Sequence, residues 1–322
     1  MKNIICGAGS PLRAFFPWFQ KSRGWAWKYY DRVAKRLIVS GGPVRFMDIE
    51  LNFAEGVGLN YATPLYWNGP DAYENATSRA LAMLAGRSKL FLDVGSNIGI
   101  YAVYAGVRFP GLEIHAFEPV PAIWEKNRRF HQGNGLSVEN VHKLGVSDAV
   151  EISKMYMPVY DWGLEEEQTA TVQADSWQVH EKKVVTFAIE CTTVDRFAAG
   201  RRLAEGPCCM KIDVENAEAR VLRGAREFIH NRRPWIMCEI LPTTELDSET
   251  GGSRVNNRET VAMIEELHYA AFAVTENGFF RMNPADFSQL RNLKDFLLVP
   301  REKIEPDVLY LTPENAARKF VE

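Results

Sequence analysis

The sequence predicts an α/β protein built on a doubly wound, mainly parallel sheet. Three observations carry that expectation. From Lys89 onward, short apolar runs alternate with longer segments of helical periodicity. Glycine and proline punctuate these segments at their joints. The most distinctive short motifs stand at the ends of predicted strands, where open α/β sheets bind their ligands. Such alternation places helices on both faces of the sheet, and right-handed crossovers leave few topologies.

Residues 1–85 read as an N-terminal cap region and 86–322 as the main domain. The first forty residues are rich in Lys, Arg and aromatics, among them Phe15, Phe16, Trp18, Phe19, Trp25 and Trp27. They suit a cap packed on the main domain, or an interfacial segment touching a membrane or a partner. Pro11, Pro17 and Gly24 interrupt any single long helix, which favours the cap. Alternation over Val44–Asn52 predicts a strand, and Asn75–Ala85 a helix stopped by Gly86.

The regular pattern then begins. Lys89–Val94 predicts a strand, Ile98–Val107 a helix ending before Pro110, and Leu112–Phe117 a second strand. Pro121–His131 predicts a helix opening on proline, whose missing N–H costs nothing there. Val138–Val146 reads as a third strand. The polar stretch Tyr160–His180, with Glu165, Glu166 and Glu167 in a row, reads as a solvated surface insertion. Lys183–Cys191 is extended, Val194–Leu203 a short helix, Cys208–Val214 a strand, Ala217–His230 a helix and Trp235–Ile240 a strand. Thr260–His268 is helical, Ala271–Val274 pairs with Phe279–Met282 as a hairpin, and Phe296–Val299 is the last strand.

Bulk properties narrow the function. The 322 residues are 46% hydrophobic and 25% charged, an ordinary globular composition. A formal net charge of −3 supplies no global field for nucleic acid or anionic lipid, so no nucleic-acid partner is expected. No apolar stretch is long enough to span a bilayer, and Met1–Cys6 is too short for a signal peptide. The five cysteines, Cys6, Cys191, Cys208, Cys209 and Cys238, form no CxxC pair. That argues against a disulfide framework and a zinc site. Four of them lie in or beside apolar runs, which predicts buried reduced thiols and a cytoplasmic location.

Four strand-end motifs carry the chemistry. The first is Asp93-Val94-Gly95-Ser96-Asn97-Ile98-Gly99, between a strand and a helix. Gly95 and Gly99 allow a sharp turn and close approach of a ligand, and Asn97 tolerates a left-handed backbone. Asp93 would repel a pyrophosphate at the helix N-terminus but attract an ammonium, which favours the methionine part of S-adenosylmethionine over NAD. The second is Glu118, about twenty residues on, at the spacing where an acid accepts hydrogen bonds from a ribose diol. The third is Gly145-Val146-Ser147-Asp148, placed by position near an adenine, with Asp148 able to accept from its amino group or simply to serve a turn. The fourth is Lys211-Ile212-Asp213-Val214-Glu215. Period-two geometry puts its three charges on one face, either paired with each other or facing substrate. His115 reads as a core residue, while His131 and His142 find no partner by spacing. Neither a Ser-His-Asp constellation nor an HExxH metal motif appears.

In these residues the chain resembles the FkbM-type S-adenosylmethionine-dependent methyltransferases. The matching stretches are Phe91–Gly99, Ala116–Pro119, Thr193–Asp195, Lys211–Glu215, Val221–Ala225, Cys238–Ile240 and Phe296–Pro300, in the family's order and spacing. The resemblance covers roughly Tyr73 to Pro300. It implies a Rossmann-like, seven-stranded methyltransferase fold that moves a methyl group from S-adenosylmethionine to a hydroxyl of a sugar, glycan or natural product. It implies cofactor contacts from the Asp93–Gly99 loop, including Ser96, and from Glu118. Tyr73-Glu74 also resembles a family pattern, which would bring Glu74 to the same pocket. One departure is Asn216, where the family carries glycine; its side chain would narrow the pocket or meet the substrate.

A neutral alcohol is a poor nucleophile, so a base is expected to take its proton during transfer, and Asp213 or Glu215 is the candidate, beside Lys211. A magnesium ion bridging Asp213, Glu215 and the acceptor is the alternative. Two rival functions follow from the same residues. An NAD-dependent oxidoreductase would use Ile5–Ser10 as its loop, but that stretch lacks the third glycine. A catalytically silent nucleoside-binding module would keep the fold alone, against which the intact Asp93 and Glu118 argue.

Overall fold

The computed structural model describes residues 4–6, 37–39, 41–159, 183–241, 252–283, 293–304 and 310–311. Its strands are β1 Ile4–Cys6, β2 Leu37–Val39, β3 Gly42–Phe46, β4 Ile49–Phe53, β5 Leu90–Val94, β6 Glu113–Phe117, β7 Val141–His142 and β8 Gly145–Val146. They continue with β9 Glu151–Val159, β10 Lys183–Thr192, β11 Cys208–Ile212, β12 Trp235–Glu239, β13 Tyr269–Thr275, β14 Gly278–Met282, β15 Asp295–Pro300 and β16 Tyr310–Leu311. The helices are α1 Leu59–Asn68, α2 Asn75–Ala85, α3 Ile100–Arg108, α4 Pro121–Gly133, α5 Val194–Ala199, α6 Glu218–Arg223, α7 Arg226–Arg232 and α8 Gly252–Glu266.

A mixed α/β architecture results. The central sheet runs β16-β14-β13-β15-β12-β11-β5-β6-β7. Among the described residues it has nine strands, where seven were expected. From β7 to β12 neighbours pair in parallel; from β12 to β16 they pair antiparallel. The extra strands come from the hairpin partner β14 and from β16, which pairs with its edge. Successive residues of the inner strands point to opposite faces and join two apolar clusters. Phe91, Cys209, Met237 and Leu297 share one with α2, α3 and the β3–β4 hairpin. Leu92, Met210, Ile236 and Leu298 share the other with α5, α6, α7 and α8. Strands apolar on both faces are what sequences covered on both sides require.

Several segments differ from their sequence-based expectation. Val44–Asn52 is a hairpin, because Met47 turns the chain with φ 52° between β3 and β4. Val138–Val146 divides: β7 joins β6 in the central sheet, whereas β8 joins β10 in a separate sheet with β9. Gly145 permits that change of partner, since a Cβ there would lie 2.9 Å from Cys191 Sγ. Ala217–His230 is two helices, α6 and α7, separated at Gly224-Ala225. Gly224 touches the 147–148 turn so closely that a Cβ would meet Ser147 O at 2.0 Å. Helix α1 contains Pro64, and β9 is the antiparallel partner of β10; neither was expected. Ile5-Cys6 belongs to β1, which pairs with β2 in a two-stranded sheet of its own. Most of the first forty residues, and the expected insertion Tyr160–His180, lie outside the described residues.

Candidate active site

The carboxyl ends of β5, β6 and β11 and the residues after them surround a cavity of about 320 Å³, within the range of small-molecule sites. The Gly95–Asn97 turn forms its floor. Gly95 N and Ser96 N both donate to Phe117 O, at 3.1 and 2.9 Å, which ties the turn to the end of β6. Gly95 has φ 76°, and a Cβ there would sit 1.7 Å from Asp213 O, so only glycine fits between the two strand ends. Asn97 takes the left-handed conformation expected of it, with φ 50°. The turn is braced from behind by Asn127, whose Nδ2 donates to Ser96 Oγ and to Asn97 O.

Glu118 is buried at the cavity edge. Its Oε2 accepts from Asn97 N at 3.0 Å and its Oε1 from Val120 N at 2.8 Å. Two backbone donors fix the carboxylate rigidly at the cavity edge. The turn and the acid therefore meet, as the twenty-residue spacing suggested.

Opposite stands a charged wall. Lys211 and Asp213 point to the same face of the β11 end, and Lys211 Nζ donates to Asp213 Oδ2 at 2.7 Å. Burial opposes the charge on Lys211, but Asp213 and Asp93 outweigh it and hold its pKa above the usual value. Burial would raise Asp213, yet the Lys211 ammonium dominates and lowers it to about 2. Asp213 is thus a carboxylate at neutral pH. Glu239, at the end of β12, is pushed upward by burial and by the Asp213 charge beside it. Lys294 Nζ bridges Glu239 Oε1 at 2.5 Å and Glu74 Oε1 at 3.0 Å, and Tyr101 OH donates to Glu74 Oε2 at 2.7 Å. Tyr61 and Tyr73 pack 4.8 Å apart, centroid to centroid, and both rings line the cavity.

Of the residues singled out from sequence, Glu74, Gly95, Ser96, Asn97, Glu118, Ser147, Lys211, Asp213 and Glu215 all line this one cavity. Three do not. Asp93 is fully buried below the turn, and neither of its oxygens finds a hydrogen-bond partner of ordinary geometry. Burial raises it to about 6, against the pull of Lys211. It lies in register with Lys211 across β5 and β11. Gly99 is the left-handed residue that opens α3, against Asn127. Asp148 is off the cavity wall and is held by Arg220 at 2.8 Å and Arg223 at 3.1 Å. Asn216 has φ 73°, a glycine-like backbone, but its buried side chain is not on the cavity wall.

The wall also contains groups that sequence reasoning missed. Glu239 ends an apolar strand as Asp213 nearly does, and the same strand-end rule would have found it. Lys294 precedes the last strand without a local signal. The two histidines thought partnerless both have partners: His142 Nε2 lies 3.0 Å from His115 Nδ1 on the neighbouring strand, and His131 Nδ1 lies 3.0 Å from Asn127 O one turn earlier in α4.

For a divalent cation, Asp213, Glu215 and Glu239 can place one carboxylate oxygen each within 4.8 Å of one another. Two of the three already have an ammonium in contact, from Lys211 and Lys294. The site is therefore a poor fit for magnesium, which favours carboxylates without competing cations.

These features define an open α/β sheet with a ligand crevice outside its strand ends, the binding place of that architecture. Residues 93–276 match the profile of the methyltransferase FkbM domain, more than half of the chain, and the chain belongs to that family. It is 28% identical over 173 residues to the 31-O-demethyl-FK506 methyltransferase FkbM of Streptomyces tacrolimicus. That match covers 46% of this chain and 64% of the relative, so the chain spans less than two thirds of it. Among solved structures, the methyltransferase FkbM of Methylobacillus flagellatus KT is 14% identical at a TM-score of 0.37, covering 66% of this chain and 44% of that one. The cofactor-bound Rv0187 of MTB is 16% identical at a TM-score of 0.37, covering 71% and 82%.

Proposed function

We propose that the protein transfers a methyl group from S-adenosylmethionine to a hydroxyl oxygen of a small-molecule or glycan acceptor. One observation carries this reading: the glycine turn and the rigid Glu118 carboxylate meet at one end of a cavity whose other end presents an ionised Asp213. Family membership supports the cofactor class. The sulfonium of the bound cofactor supplies an electrophilic methyl. Glu118 accepts from the ribose hydroxyls, the amides and hydroxyl of the Gly95–Asn97 turn and Ser147 line the nucleoside end, and Glu74 stands nearer the acceptor. Asp213 takes the acceptor proton or orients its hydroxyl, with Lys211 keeping it ionised. Glu215 lies beside it as the second acid. Tyr61 and Tyr73 offer flat apolar surface to a ring and help to exclude water. Residues 1–85 are read as an N-terminal cap region, of which Tyr61, Tyr73 and Glu74 line the cavity. Among the described residues no helix is long and apolar enough to cross a membrane, and four buried free thiols fit a reducing, cytoplasmic compartment.

Incubation with methyl-labelled S-adenosylmethionine and a panel of glycans and hydroxylated metabolites tests the reading. Asp213→Asn is expected to lower label transfer by about 10²–10⁴-fold, with cofactor affinity changed only a few-fold. Full turnover by that variant would remove Asp213 from the chemistry.

A further inference from the structure

Outside the expected site residues, Lys294 is the group whose placement demands a reason. Its backbone is pinned, since Ile240 N donates to Lys294 O at 2.7 Å across the β12–β15 edge. Its ammonium reaches Glu239 at the end of β12 and Glu74 at the entry to α2. Asp295, the first residue of β15, also faces it. Glu74 itself occupies a left-handed conformation, φ 39°, before α2. One cation thus draws together carboxylates from two separate elements. With Lys211 on Asp213, four groups run along the wall in the order ammonium, carboxylate, carboxylate, ammonium.

The same wall has the donor set of a divalent cation site, with Asp213, Glu215 and Glu239 in mutual reach. Three or four carboxylates crowded at the end of a low-dielectric cavity repel one another strongly unless a positive charge sits among them. A metal ion is one solution and a lysine is another. A lysine ammonium has three donors, so it can engage Glu239 and Glu74 together. It also opposes a metal by direct repulsion, because a second cation would come to the Glu239 carboxylate that it already holds.

We propose that Lys294 is a positioning residue that serves as a built-in cation in the acid cluster Asp213–Glu215–Glu239, taking the place a divalent metal would occupy and keeping the cluster metal-free. Its value for an acceptor hydroxyl rests on the methyl-transfer reading; its exclusion of metal does not. The consequence is that removing the ammonium uncovers a metal site.

Titration with Mn²⁺, followed by electron paramagnetic resonance of the free ion, tests this on the full chain. Wild type and Lys294→Arg are expected to bind no Mn²⁺ at this site. Lys294→Gln is expected to bind one Mn²⁺ at least tenfold more tightly than wild type, and the added Glu239→Gln change to abolish that gain. Lys294→Met serves as a second neutral variant should Lys294→Gln melt early. A merely structural lysine would change the melting temperature without creating a metal site. Tight Mn²⁺ binding by wild type that Glu239→Gln removes would overturn the proposal, as would a folded Lys294→Gln or Lys294→Met that gains no Mn²⁺ affinity. Calorimetry with S-adenosylmethionine on the same samples separates the two ideas: failure of wild type to bind it refutes the methyl-transfer reading and leaves the metal result standing.

Discussion

At the scale of single residues, the fold buries the Glu218 carboxyl among amide partners. Glu218 opens α6, accepts from Asn216 N and from Asn256 Nδ2, and is driven up by burial to about 7. Its proton is held more tightly in the folded chain than in the unfolded one, so the folded state loses stability as pH rises. That loss begins near the ordinary Glu value of 4.5 and is complete above 7. Its size is on the order of 3 kcal/mol. Thermal melts of Glu218→Gln should therefore show a shallower fall from pH 5 to pH 8 than wild type. Parallel pH profiles would show that Glu218 does not titrate differently on folding. Gly95→Ala places a methyl against the Asp213 carbonyl and a side chain at positive φ. We expect about 2–4 kcal/mol of destabilisation, read as a shift in the urea midpoint; a loss under 0.5 kcal/mol would mean the strands part easily.

Residue types near strand ends were legible because their chemistry is local. Lys211, Asp213 and Glu118 are charges terminating apolar strands, and only a site or a pairing partner accommodates them. What a residue touches across the sheet was not legible. Asp148 looked available until Arg220 and Arg223, more than seventy residues later, closed on it. Asp93 carries the right charge, but it is fully buried, and no spacing rule reveals the depth of burial.

At the scale of elements, hydrophobic period located the inner strands and most helices to within a few residues. β5, β6, β11 and β12 are short runs buried on both faces, and α2 begins and ends where its sequence indicates. Period failed where tertiary contacts divide a segment. β7 and β8 form one extended stretch in sequence but serve two sheets, and α6 and α7 part where Gly224 presses on the 147–148 turn. That contact is testable. Gly224→Ala brings a methyl within 2.0 Å of Ser147 O, and should lower stability by about 1–3 kcal/mol in chemical denaturation. A neutral effect would mean the two helices can shift apart freely.

At the scale of the molecule, the parallel half of the sheet carries the glycine turn, Glu118 and Asp213, while the antiparallel half brings Lys294 to their side. Residues 44–85 share an apolar cluster with α3 and the sheet, so this part of the N-terminal region is built into the core beside the cavity. Segments far apart in the chain therefore complete one crevice, which is why Tyr61, packed beside Tyr73, escaped a reading centred on the motifs. The most direct measurement is a calorimetric titration with S-adenosylmethionine of wild type and Glu118→Ala. One equivalent should bind wild type, and the variant should bind at least tenfold more weakly, in keeping with about 1.5–3 kcal/mol for hydrogen bonds to a charged acceptor. No binding to wild type, or equal affinity in a folded Glu118→Ala, would contradict the assignment of this cavity.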